Sequence, residues 1–218
     1  MVKRMFKKTR YTVLLLLIVS LWIPLRANSV EGQTGVIELQ PTEDAYIVGM
    51  AEVYKLYVHG DLEYLRVCDK VGGIEEEETG SVHPWKLMIG FLKFDLLSVP
   101  RDAKVASAEL KINVYDLEEP YRVGVYRCLN TSWRETDAEW LLLPPMDPEP
   151  TTVVVINKTG WQSLDVKTAV IKVLPERELA LALKIEDHYP TRGFWFWSRT
   201  ASPDVRPKLM IALKTLTS

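Results

Sequence analysis

A chain of 218 residues with 47% hydrophobic, 26% charged and 10% aromatic side chains has the composition of a folded protein, which excludes disorder as its default state. Its formal charge of −2 conceals a division: residues 1–27 hold six basic side chains and no acidic one, leaving 21 Lys and Arg against 29 Asp and Glu, about −8, in the remainder. A body that acidic repels a phosphate backbone, and with no local basic patch nucleic acid is excluded as the expected partner.

The first element is a leader. Lys3 to Arg10 is basic, Tyr11 to Leu25 is a continuous apolar run, and Arg26-Ala27-Asn28-Ser29 turns polar. That layout is a secretory signal peptide or signal anchor over residues 1–27, with an apolar run short of the ~20 residues that span a bilayer. Ala27 suits a cleavage site, whereas the bulky Leu25 two residues earlier suits retention, so both forms stand. Either way the expected location is secreted or cell-surface. Membrane contact is expected only through the N-terminal segment, if it is uncleaved. No Cys follows the apolar run closely, so a lipid anchor is not indicated.

Downstream, hydrophobic side chains recur every second residue. Val36 to Leu39, Ala45 to Val48, Tyr54 to His59 and Tyr64 to Cys68 read as short strands bounded by Gly, Asp or Pro. Residues 69–86, with Gly72-Gly73, Glu75 to Glu78, Gly80 and Pro84, read as a long acidic loop. Strand patterns resume at Lys86 to Leu96, Val105 to Tyr115 and Tyr121 to Cys128. Trp133 to Pro148, rich in Trp, Pro and acid, reads as an ordered loop, and Thr152 to Ile156 as a β-branched strand. In Leu164 to Leu174 the spacing of Val166, Ala169, Val170, Val173 and Leu174 predicts one short helix, with Asp165 placed to cap its free N–H groups. Leu179 to Ile185, Phe194 to Trp197 and Lys208 to Leu213 complete roughly ten strands, the pattern of an all-β sandwich or barrel forming one domain over residues 30–218.

Five segments, in order, resemble the DNRLRE family, the disaggregatase-related modules of secreted proteins. They are Pro41-Thr42-Glu43-Asp44-Ala45-Tyr46-Ile47; Phe91 to Leu96 with Ser107 to Ile112; Val125-Tyr126-Arg127 leading to Trp133-Arg134-Glu135, Trp140 and Pro144; Trp161 with Leu164-Asp165-Val166 and Val170; and Phe196-Trp197-Ser198-Arg199 with Arg206-Pro207-Lys208-Leu209. Thr200 departs from the acidic residue usual after Ser-Arg. The resemblance implies a jelly-roll-like antiparallel β-sandwich that serves as a carbohydrate-binding or surface-attachment module.

The chemistry-bearing residues divide into four groups. Trp85, Tyr121, Trp195 and Trp197 are the candidate ligand contacts, because aromatic faces stack on sugar rings; in Phe194 to Trp197 one alternate pair must face the core and the other must face out. Trp133, Glu135, Trp140, Asp95 and Arg199 read as framework, with Asp95 and Arg199 sharing a salt-bridge network. Glu43 and Asp44 are candidate oxygen ligands for a structural calcium. Cys68 and Cys128 could form a disulfide, worth about 2–4 kcal/mol, or stand as two buried thiols. Asn130-Thr131-Ser132 and Asn157-Lys158-Thr159 match the glycosylation pattern, and both should be on the surface if it is used.

No Gly-x-Ser-x-Gly elbow, His-Glu-x-x-His helix or phosphate loop occurs, and the three histidines are far apart. From the leader, the family-like framework and the surplus tryptophans, the leading expectation is a non-catalytic module binding cell-surface or extracellular polysaccharide. One alternative is a self-associating subunit of a surface layer or filament. The other is a glycan-degrading enzyme, which needs carboxylates about 5–5.5 or 6.5–9.5 Å apart in a cleft.

Overall fold

The computed structural model describes residues 35–50, 53–75, 82–137, 139–140, 143–187 and 193–214; at 49–50, 53–57, 69–75, 82–86 and 139–140 only the backbone is described. The leader expected over 1–27 lies outside the described residues, as do the side chains of Trp85 and Trp140. No helix among the described residues is long and apolar enough to cross a membrane.

Among the described residues the structure is mostly antiparallel β with one short helix. The strands are β1 Val36–Leu39, β2 Glu43–Met50, β3 Val53–His59, β4 Tyr64–Glu75, β5 Val82–Asp95, β6 Val105–Leu117, β7 Tyr121–Arg127, β8 Glu139–Trp140, β9 Thr152–Ile156, β10 Gly160–Asp165, β11 Glu178–Ile185, β12 Phe194–Trp197 and β13 Lys208–Leu213. The helix α1 is Lys167–Val173.

One curled sheet joins these strands in two faces. In the first, β6 is central: β10 lies along one edge, while β12 and β13 lie end to end along the other, flanked by β4 and β1. In the second the order is β9-β7-β11-β5-β2-β3-β8. Strand β4 belongs to both. Its first residues, Tyr64 to Val67, pair with β12, and from Cys68 onward it pairs with β5. A strand that changes partner midway forms a corner between sheets.

The alternation in the sequence becomes the core. Leu110, Ile112 and Val114 of β6, Phe194 and Phe196 of β12, Leu92 and Phe94 of β5, and Leu179, Leu181 and Leu183 of β11 turn inward and are all but fully buried. Burying one such Phe or Leu side chain stabilises the fold by about 1.5–3 kcal/mol. The opposite side of the second face is also covered. There Ile47, Ile89, Phe91, Tyr126, Ala180 and Ala182 meet Trp133, with Leu143 and Met146 packed against them. From Met88 to Phe94 both sides of β5 are therefore buried, which explains the near-continuous apolar sequence of that stretch.

Three expectations are corrected. The acidic loop over 69–86 is largely strand: β4 continues to Glu75 and β5 begins at Val82, with Gly72-Gly73 in an irregularity between the Val71–Trp85 and Ile74–His83 pairs. A paired backbone overrides local polarity, and glycines suit such bulges. The helix is shorter than its periodicity suggested, because Gly160 to Asp165 pairs with β6. Asp165 still holds its start, with Oδ1 accepting the N–H of Lys167 at 2.9 Å, although Val166 occupies the cap position. The disulfide is absent. Cys68 lies in the core between the faces and Cys128 in the cluster on the far side of the second face, so they stand as two separate buried thiols. Burial pushes the Cys128 thiol up to about 12, which makes it a poor nucleophile.

Candidate functional site

The buried charges form a framework at the edge of the second face. Asp44, at the start of β2, is fully buried; its Oδ2 accepts the N–H of Arg199 at 2.6 Å. The guanidinium of Arg199 grips Glu135 with two prongs, Nε to Oε2 at 2.6 Å and an η-nitrogen to Oε1. Glu135 in turn accepts the N–H of Asp44 at 3.1 Å, and its own N–H is donated to Glu43 at 3.0 Å. Lys93 completes the chain, donating to Glu43 at 3.2 Å and to the carbonyl of Trp133 at 2.5 Å beneath the Trp133 ring. The network ties the loop carrying Trp133 and Glu135 to β2, β5 and the segment after β12. Burial pushes the Asp44 carboxyl up to about 7, partly offset by the N–H and the charge of Arg199.

This placement revises two roles. Asp95 is exposed at the end of β5 and takes no part in the network; its Oδ1 accepts the N–H of Leu97 at 2.7 Å and holds the turn there. The buried partner of Arg199 is instead Asp44, which neighbours the apolar strand signal rather than interrupting it. The oxygens of Glu43 and Oδ2 of Asp44, expected to face a cation, are turned to Lys93 and to backbone N–H groups. No group of three or more His, Cys, Asp or Glu suited to a metal occurs among the described residues.

Beside the network, Gly60, Asp61, Glu135, Thr136, Asp137 and Thr200 line an open cleft of about 530 Å³. Gly60 is required at this wall, since a Cβ there would stand 2.5 Å from Glu135. The one carboxylate of the cleft tied to the network, Glu135, is already held by Arg199.

A different surface gathers the aromatics. Because Phe194 and Phe196 point inward, Trp195 and Trp197 emerge on the outer side of the first face, each half-buried. Tyr64 and Arg66 of β4 emerge there too, since Leu65 and Val67 are in the core. Tyr115 of β6 follows by the same rule. Its ring lies 4.7 Å from Trp197 and 5.9 Å from Tyr64, so three rings from three strands form one patch. Arg66 stacks over Trp195 at 4.4 Å. Tyr115 is 36% exposed, and burial together with Tyr64 holds its phenol near 12, so it offers an uncharged hydroxyl. Trp161 of β10, 42% exposed, shares the face across β6, with Lys208 5.7 Å above its ring. Aromatic faces pack against the C–H bonds of sugar rings, and the polar groups between them take hydroxyl hydrogen bonds.

Of the four predicted contact residues, the structure thus brings Trp195 and Trp197 together. Tyr121 is corrected: it is 1% exposed in the core, tilted against Phe194, and its hydroxyl accepts the N–H of Gly193 at 2.9 Å. The side chain of Trp85 lies outside the description. Tyr64, Tyr115 and Arg66 were missed, and Trp161 entered only among the segments that carry the family resemblance. The signal was present in their alternation with Leu65, Val67 and Val114, but alternation alone does not say which strands become neighbours.

The model of carbohydrate-binding module family 96 matches residues 36–213 of this chain. No curated protein matches it.

Proposed function

Because the chain belongs to carbohydrate-binding module family 96 over residues 36–213, we propose that this domain acts outside the cytoplasm as a non-catalytic module that binds a cell-surface or extracellular polysaccharide. In this reading the two faces joined by β4 are a jelly-roll-like sandwich. The finer kinship with the disaggregatase-related modules rests on the five ordered motifs, and export rests on the basic-then-apolar layout of residues 1–27.

The observation that carries the proposal is the ring-against-ring patch of Tyr64, Tyr115 and Trp197 on the outer side of the first face. Rings set on the outer side of a sheet suit an extended sugar chain laid across them rather than a chain end enclosed in a pocket. Native electrophoresis through gels containing acidic and neutral polysaccharides tests it. Retardation by at least one polysaccharide, lost in Trp197→Ala, is expected; unchanged mobility in every gel sinks the proposal.

A second reading, a subunit of a surface layer, draws on β9. This strand ends the second face, and Val153 and Val155 are 39% and 56% exposed along it. Paired edges of that kind join subunits. Sedimentation at rising concentration decides: a monomer throughout removes this reading.

A further inference from the structure

The strand register sets four side chains in one line across the first face. Trp161 of β10 is directly opposite Asn113 of β6. On the other edge of β6, Phe196 pairs with Val114, so Trp197, one step on, stands level with Asn113. Trp197 in turn pairs with Tyr64 of β4. The order Trp161, Asn113, Trp197, Tyr64 therefore crosses four adjacent strands, about 14 Å at ~4.8 Å per strand. Asn113, Tyr64 and Trp197 point outward because their chain neighbours Ile112, Val114, Leu65 and Phe196 are in the core, and Trp161, three residues before the buried Leu164 and directly opposite Asn113, alternates to the same side.

The line has stacking groups at both ends and a single amide between them. Asn113 is half-buried, and its side chain makes no hydrogen bond to a described residue. It offers one acceptor and two donors in a plane, which can meet a hydroxyl pair on one sugar ring. The competing track, along the strands, offers less. Down β6 the outward positions after Asn113 are Lys111 and Glu109, paired with each other at 3.4 Å, and along β12 the next ring, Trp195, has Arg66 stacked at 4.4 Å, closer than Lys208 stands to the 42% exposed Trp161 at 5.7 Å.

We infer that the polysaccharide runs perpendicular to the strands along this line, stacking on Trp161 at one end and on Trp197 and Tyr64 at the other, with Asn113 reading the hydroxyls of the unit between. The inference rests on the proposed glycan-binding role and adds the path and the hydroxyl-reading residue. One strand spacing is close to the length of one pyranose unit, so about three units fill the line.

The probes are size-fractionated acid-hydrolysis fragments of each polysaccharide that retards the wild-type chain, titrated calorimetrically. Affinity of the wild type is expected to rise with fragment length and level off at about three or four units. Trp161→Ala should weaken the longer fragments about tenfold and leave the shortest unchanged. Asn113→Ala should weaken every fragment that spans the middle about fivefold to tenfold, with an unchanged melting temperature. Asn113→Asp, which keeps an acceptor and loses both donors, should recover only part of that loss. Wild-type binding by Trp161→Ala at all lengths overturns the path, as does a larger loss from Lys111→Ala. Wild-type binding by Asn113→Ala overturns its reading role. Failure of every polysaccharide to retard the wild type defeats the proposed function itself, a separate result.

Discussion

The carboxylate of Asp44 accepts the backbone N–H of Arg199 at 2.6 Å, joining positions 155 residues apart in the chain. The same arginine grips Glu135, so one residue after β12 fastens both the start of β2 and the loop that covers the second face. Arg199→Ala leaves Glu135 without its cation while the backbone bond to Asp44 survives. Because Arg199 is 32% exposed, the expected loss sits below the range for fully buried pairs, at about 2–3 kcal/mol by urea unfolding. Arg199→Lys should recover less than half of it, since an ammonium cannot reproduce the two-pronged grip. A wild-type midpoint for Arg199→Ala would remove the network from the account of stability.

Asp44 also sets a pH dependence. Its folded carboxyl is raised to about 7 by burial, whereas in the unfolded chain it titrates near 3.8. Between those values the folded state holds a proton that the unfolded state has lost, so this group's contribution is fully present below pH ~4 and fades as pH rises to ~7. The span corresponds to on the order of 4 kcal/mol. Asp44→Asn should flatten the fall in stability between pH 4 and 7 relative to wild type. Asp147 has the opposite sign: Arg127 and then Lys172 hold it below the usual range, so its contribution is lost in acid. Parallel curves for wild type and Asp44→Asn across pH 4–7 would contradict the assignment.

Adjacent residues of β12 should separate binding from folding. Phe196 is fully buried in the core, and Phe196→Ala is expected to cost about 3–5 kcal/mol, lowering the melting temperature sharply. Trp197 stands on the outer face against Tyr115, and Trp197→Ala should lower polysaccharide affinity about tenfold with a much smaller change in stability. Thermal melts run beside affinity gels check both. Equal loss of stability in the two variants would mean that Trp197 is packing alone.

Tyr121→Phe tests the corrected role of that tyrosine. Its hydroxyl accepts the N–H of Gly193, a residue held at φ +92 where a Cβ would stand 2.1 Å from the carbonyl oxygen of Val67. Removing the hydroxyl strands a buried N–H and should destabilise by about 1–3 kcal/mol. Polysaccharide retardation should not change. Weakened binding with unaltered stability would return Tyr121 to the site.

Much of this protein was legible in its residues. The two-residue alternation in Val105 to Tyr115 and in Phe194 to Trp197 determined strands with one inward face, because a pleated backbone sends successive side chains to opposite sides. That same alternation already implied that Trp195 and Trp197 share a side. What it could not contain was strand order. The meeting of Tyr64, Tyr115 and Trp197, the line through Asn113, and the separation of Cys68 from Cys128 by a sheet all depend on which distant strands pair. Asp44 beside Arg199 is decided the same way. Pairing reflects the burial of many side chains at once, a sum over the whole fold that no local stretch of sequence carries.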